Sequence, residues 1–119
     1  LSTTHIGKKM ILPSVIQFQK HLADTINSTK SAAPSADLSA EVELLTEIVK
    51  NANDFKQKLD HLEKEVAHGS DDVLKHAQHF KNKVIPAMNA AREIADKLEN
   101  LVATDVWPLP TYAEMLFIV

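Results

Sequence analysis

Apolar residues in this chain recur at helical spacing almost from end to end. Within residues 71–104, Val73, Ala77, Phe80, Val84, Ala87, Ala91, Ile94, Leu98 and Leu101 alternate four and three residues apart without a miss. A 3.5-residue recurrence lays them along one stripe of a helix. Residues 38–68 repeat the rule through Leu45, Ile48, Ala52, Phe55, Leu59, Leu62 and Val66, led in by Leu38 and Val42. A first segment, residues 2–29, places Ile11, Val15, Phe18, Leu22 and Ile26 in the same way. Each segment is about 30 residues long, or roughly 45 Å of helix.

The breaks between segments carry stop and start chemistry. In Ser31-Ala32-Ala33-Pro34-Ser35-Ala36-Asp37, Pro34 ends a helix and Asp37 is placed to cap the next. In His68-Gly69-Ser70-Asp71-Asp72, Gly69 suits a left-handed position just past a helix end, and Ser70 or Asp71 suits the following cap. Matched lengths and short connections predict an all-α fold, an antiparallel three-helix bundle of long helices. Pro13 and Pro86 fall inside two of these helices. Each removes a hydrogen bond and clashes with the carbonyl four residues back, that of Lys9 or Asn82, so a kink is expected at both. Such bends let helices wrap a neighbour, or leave a carbonyl free for a partner. Leu74, Ile85, Met88, Ala95 and Val102 form a second apolar stripe beside the main one, available to another protein.

Residues 105–119 break the pattern. Trp107-Pro108-Leu109-Pro110-Thr111-Tyr112-Ala113-Glu114-Met115-Leu116-Phe117-Ile118-Val119 holds the only Trp, the only Tyr, one of four Phe and two of five Pro. Thr111 and Glu114 have the spacing of a capping box, predicting a short helix over about 111–117 that carries Met115, Leu116 and Phe117. Chain ends fray unless something ties them down, so a tail this apolar needs a surface to rest on. Trp107, Pro108, Pro110, Tyr112, Leu116 and Phe117 are the candidate docking residues. They either fold back on the end of the bundle or anchor a contact with another domain or subunit. Aromatics held between stiff Pro lose little entropy on binding.

This tail resembles the carboxy-terminal end of type III glutamine synthetases, which finish in Trp-Pro-Leu/Phe-Pro-Thr-Tyr and a short apolar run. Two further segments are similar to that family. Lys8-Lys9-Met10-Ile11-Leu12-Pro13-Ser14-Val15-Ile16-Gln17-Phe18-Gln19 resembles its Lys/Arg-x-Ile-Leu-Pro-Ala-x-x-x-Tyr-Gln helix, and Lys83-Val84-Ile85-Pro86-Ala87-Met88 its later Val-x-Pro-Ala-Met helix. Order and spacing fit, so the resemblance covers essentially the whole chain, with residues 30–80 contributing little beyond periodicity. Phe18 stands where the family usually has Tyr, and Ala113-Glu114-Met115 where Gly-Asp-Leu is common.

Composition narrows the remaining possibilities. At 119 residues the chain is one domain, long enough to bury a core. Two Gly and few aromatics favour helix over sheet. A net charge of −3, with Lys and Glu interspersed, offers no basic face for nucleic acid. No apolar run approaches the ~20 residues that span a bilayer, and the N-terminus lacks the apolar core of a signal peptide. The absence of Cys removes disulfides and Cys-type zinc sites and fits a cytoplasmic protein. A start at Leu1, already in helical pattern, suggests a fragment of a longer polypeptide.

Candidate chemistry is sparse. His61, Glu65 and His68 share one helical face, and His76 and His79 form an i, i+3 pair, spacings that zinc accepts. Lys and Glu around them read instead as a solvated face, and a metal site needs three or four convergent ligands with outer support. Glu65-Val66-Ala67-His68 supplies one Glu-x-x-His of a di-iron bundle, without the matching second helix. His61-Leu62-Glu63-Lys64 has the His-x-x-Lys of phosphotransfer bundles, but Glu65 follows where those domains keep an open Gly. Asp71 with Asp72 and Glu63 with Glu65 read as caps and solubilising charges. With no Cys, no Gly-x-Ser-x-Gly elbow and no Gly-rich phosphate loop, no catalytic, cofactor-binding or metal-binding residue is expected in this chain.

The resemblance implies a parent enzyme that joins ammonia to glutamate using ATP and divalent metal, through a γ-glutamyl phosphate. Its ligands lie on a catalytic β-sheet domain that this chain does not contain, so none is carried over. The implied partners are the parent's own catalytic domain and other subunits of a ring-shaped homo-oligomer, with this region braced between them and the tail pinned to the enzyme's body. The competing expectation is a free-standing helical protein-interaction module, short in its natural form and offering an apolar stripe to a dedicated partner. A metal-binding bundle built on His61, Glu65 and His68 is a third.

Overall fold

A computed structural model of the chain describes residues 3–69 and 71–102, and among these there are helices and no strands. The first helical segment comprises α1 (Thr3–Ile6), a π turn (Gly7–Ile11) and α2 (Leu12–Ala32). The second is one helix, α3 (Ser39–Ala67). The third comprises α4 (Val73–His79), a second π turn (Phe80–Val84) and α5 (Ile85–Leu101). The first segment runs on to Ala32, past the expected end at residue 29, so part of the small-residue linker is helical.

Both interruptions have the same cause. Pro13 and Pro86 each occupy the second residue after a π turn. Pro has no N–H, and its ring would strike the carbonyl four residues back in a regular α-helix. The chain widens by one residue instead: the Leu12 N–H donates to the Gly7 carbonyl, and the Ile85 N–H to the Phe80 carbonyl, both five residues back. The Ser14 hydroxyl donates to the Met10 carbonyl at 2.9 Å, supplying a partner within the first π turn. The disturbance expected at each Pro thus takes the form of an extra residue in the turn.

The main core is made by all three segments. Ile6, Ile11, Leu12 and Val15 of the first meet Ile48, Ala52, Phe55 and Leu59 of α3 and Ala91, Ile94, Ala95, Leu98 and Val102 of the third. A smaller cluster of Leu62, Val84 and Ala87, flanked by Phe80 and Met88, joins the second and third segments. Phe18, Leu45 and Ile26 are only partly covered. Gly7 explains how closely the first π turn approaches α3. A Cβ placed on it would lie 2.7 Å from Leu59 Cδ1, so only hydrogen fits there.

Several expectations need correcting. Val66, Val73 and Ala77 have core-stripe spacing and Val42 leads into one, yet all four are exposed. Ala95 and Val102, assigned to a second stripe facing a partner, are buried in the main core. A strict 3.5-residue stripe drifts around a 3.6-residue helix, and an added residue at Phe80–Val84 rotates what precedes it. Gly69 does not take a left-handed backbone; a Cβ there would lie 2.8 Å from the His76 ring, so it makes room for that side chain. The cap of α4 is Asp72, not Ser70 or Asp71. Its carboxylate accepts the Leu74 N–H at 2.9 Å and the Lys75 N–H at 3.2 Å. Asp37 serves the start of α3 by accepting the Ser39 N–H at 3.0 Å, and the hydrogen bonds from the Ser39 hydroxyl and amide lower its pKa.

Candidate interaction surfaces

The most developed polar cluster grows from the first π turn. That turn presents Lys8 to α3, where its ammonium lies 2.7 Å from Asp60 Oδ1 and 2.9 Å from Glu63 Oε2. Lys56, one turn before Asp60, holds the other carboxylate oxygen at 2.9 Å. Lys56 and then Lys8 hold the Asp60 carboxyl down, from 3.8 to about 2, and Asp60 and then Glu63 raise Lys8 in return. All four groups keep substantial contact with water, so this clamp sets the register of the first segment against α3 more than it adds stability. Sequence reading missed it, because Lys8 and Glu63 are 55 residues apart and no local spacing signals their meeting.

The histidine face comes apart in three dimensions. His61 and His68 are exposed, while Glu65 turns toward the third segment. There His79 Nε2 lies 2.6 Å from the Glu65 backbone carbonyl and 3.5 Å from its carboxylate. A ring nitrogen that close to a carbonyl carries the proton and donates it, tying α4 to the end of α3. His76 packs against Gly69 instead of pairing with His79. Among the described residues no three His, Asp or Glu converge on a point.

The concavities are shallow and mixed in charge. A cleft of about 390 Å³ between α3 and α5 is lined by Glu47, Lys50, Asn51, Asp54, Lys97, Asn100 and Leu101. Together with the Glu65–His79 contact, it shows that α3 and α5 run in opposite directions. Opposite charges side by side give it no single-sign field to draw a charged ligand. Glu41, in the first turn of α3, has one carboxylate oxygen buried without a hydrogen-bond partner.

Large apolar groups are exposed at Ile16, Val42, Val49 and Ile85, and most of all around the turn between α3 and α4. Val66 near the end of α3 is 59% exposed, and Val73 and Leu74 at the start of α4 are 84% and 67% exposed. No residue of α4 is buried. Trp107, Pro108, Pro110, Tyr112, Leu116 and Phe117, with the capping box and short helix expected around them, lie outside the described residues.

Comparison with known proteins follows the motifs. The chain is similar to the type-3 glutamine synthetase of Dictyostelium discoideum, with 32% identity over 117 residues covering 92% of this chain and 16% of that protein. It is 26% identical over 119 residues to a glutamine synthetase of Butyrivibrio fibrisolvens, covering 98% of this chain and 17% of that protein. The chain therefore spans about a sixth of the length of these curated relatives. No protein-family model and no solved structure matches it. Similarity to glutamine synthetases thus runs through the chain nearly end to end, as the resemblance in its motifs implied.

Proposed function

We propose that this chain is the C-terminal helical region of a type III glutamine synthetase. In this reading its three helical segments form one antiparallel bundle, followed by a short helix after the Pro-rich aromatic segment. The observation that carries the proposal is the alignment, which takes in nearly all of this chain and only a small share of each relative. The parent enzyme ligates ammonia to glutamate with ATP, in the cytoplasm. ATP and divalent metal are bound by the catalytic domain, outside this chain. The bundle itself is non-catalytic and supports subunit packing in a homo-oligomer, with the tail, Trp107 to Phe117, pinning it to the body of the enzyme. Two features support a packing role. The Lys8 and Asp72 charges serve a clamp and a cap, and the most exposed large apolar groups, Val66, Val73 and Leu74, lie around the turn between α3 and α4.

Two measurements test the reading. The natural polypeptide carrying this segment, immunoprecipitated and weighed intact, should be several-fold heavier than 13.2 kDa and should form glutamine. A mass near 13.2 kDa would favour a free-standing interaction module instead. Deleting residues 107–119 from the full enzyme should weaken its oligomer. Unchanged oligomer mass and activity would refute the assembly role.

A further inference from the structure

The α2–α3 hairpin projects past the end of the third segment. Leu101, the last residue of α5, lines one cleft with Glu47, Lys50 and Asn51. α3 begins eight residues before Glu47, at Ser39, so roughly 12 Å of it lies beyond the reach of α5. The short connection after Ala32 keeps the end of α2 at the same height. Burial stops where α5 stops. No residue of α2 after Leu22 and none of α3 before Ile48 is buried, although Ile26, Val42, Leu44 and Leu45 lie there. Glu41 stands seven residues before Ile48, on the stripe that Ile48, Phe55 and Leu62 carry into the core. That position turns its side chain to the inner face of α3, and its Oε2 is buried with no hydrogen-bond partner. A buried acceptor without a donor costs more than a formed hydrogen bond contributes. What covers this end must therefore bring an N–H or O–H together with apolar surface.

We infer that the chain following Val102 is that cover, with the Trp107 ring on Leu44 and Leu45 and its indole N–H donated to Glu41 Oε2. This deepens the proposed pin and rests on it: the tail grips the bundle at Trp107 and leaves for the body of the enzyme beyond Pro110. Position, reach and chemistry select this occupant. Val102 is buried in the main core, and its φ of −91° and ψ of 139° end α5 in extended backbone. From Glu47, beside the end of α5, Glu41 is six residues along α3, roughly 9 Å. Five extended residues span up to about 17 Å and two only about 7 Å, so Trp107 reaches Glu41 and Thr104 falls short. Pro108 favours extended backbone at Trp107, which suits that reach. The apolar patch at Val73 lies roughly 40 Å of helix away in the other direction. Residues 103–119 contain no Lys, Arg or His, so no cation of the tail competes for the carboxylate. Trp is also the tail side chain that joins a large apolar ring to a donor with no acceptor beside it.

Hydrogen exchange on the full-length synthetase tests the contact. Amides of residues 40–47 should be protected, and deleting residues 103–119 should speed their exchange by roughly tenfold or more, while Phe55 and Leu98 stay protected. Trp107→Phe keeps a ring and removes the N–H, and Glu41→Met keeps the length and removes the acceptor. Each should speed exchange of these amides by roughly tenfold, and the double variant no more than either alone, because both remove the same hydrogen bond. Glu41→Gln, whose amide oxygen still accepts, should retain most of the protection. Free exchange of residues 40–47 in the intact enzyme would overturn the inference. So would protection that survives the deletion, since the catalytic body or a second copy would then be the cover. Independent, additive effects of the two substitutions would overturn the pairing of Trp107 with Glu41. Failure of the assembly reading registers elsewhere, as an oligomer of unchanged mass after loss of residues 107–119.

Discussion

Replacing Gly7 by Ala sets two effects of similar size against each other. A Cβ at Gly7 would lie 2.7 Å and 2.9 Å from the two methyls of Leu59 and 3.3 Å from its Cγ. Leu59 is fully buried and faces the first segment from the middle of the core, so its methyls have little space to retreat into. Overpacking of this kind costs about 1–3 kcal/mol. Against it, Ala is favoured over Gly in a helix interior by about 1 kcal/mol. The net expectation is destabilisation by about 1 kcal/mol, or roughly 4 °C in Tm for a domain of this size. Leu59→Ala alone should cost about 2–5 kcal/mol through the cavity it leaves. In that background the Cβ has room, so Gly7→Ala should become stabilising by about 0.5–1 kcal/mol. Urea unfolding of the two single variants and the double variant measures both effects and their coupling. Additive behaviour, with Gly7→Ala equally harmful in both backgrounds, would refute the close approach of the π turn to α3.

The clamp at Lys8 makes a pH prediction. Asp60 has its pKa lowered in the folded state, so it contributes stability that is present above pH 3.8 and is lost as the pH falls toward about 2. Asp60→Asn should flatten the fall in Tm across that window, and an unchanged acid profile would show the clamp to be energetically silent. Asp72→Ala should cost about 1 kcal/mol at the start of α4. Its signature is faster exchange of the Leu74 and Lys75 amides, whose N–H groups the carboxylate now accepts; unaltered exchange there would mean that the cap does not hold the helix.

Which parts of this protein were readable in advance follows from how far apart the determining residues lie. Helices, their approximate bounds and the inward faces of Ile48, Phe55, Leu59 and Leu98 depend on neighbours within a turn or two, so the recurrence of apolar residues displays them directly. The Pro that disturb two helices are equally local. Their consequence was less so: a kink and a π turn share the same sequence, and only the surroundings select between them. In the first, Gly7 lets the widened turn lie against Leu59.

Local patterning carries the helical character of the chain, the places where its helices break and, through its motifs, the proteins it resembles. Tertiary structure alone decided which positions of those stripes are covered. Val66 and Val73 have the spacing of core residues yet are exposed, because burial requires an opposing side chain and none of the described residues covers them. Ala95 and Val102 are buried because the helix carries them round to face α3 and the first segment. The Lys8 clamp and the tie from His79 to Glu65 were likewise decided in space, since electrostatic and hydrogen-bond contacts depend on distance through the fold, and distance along the chain says nothing of it.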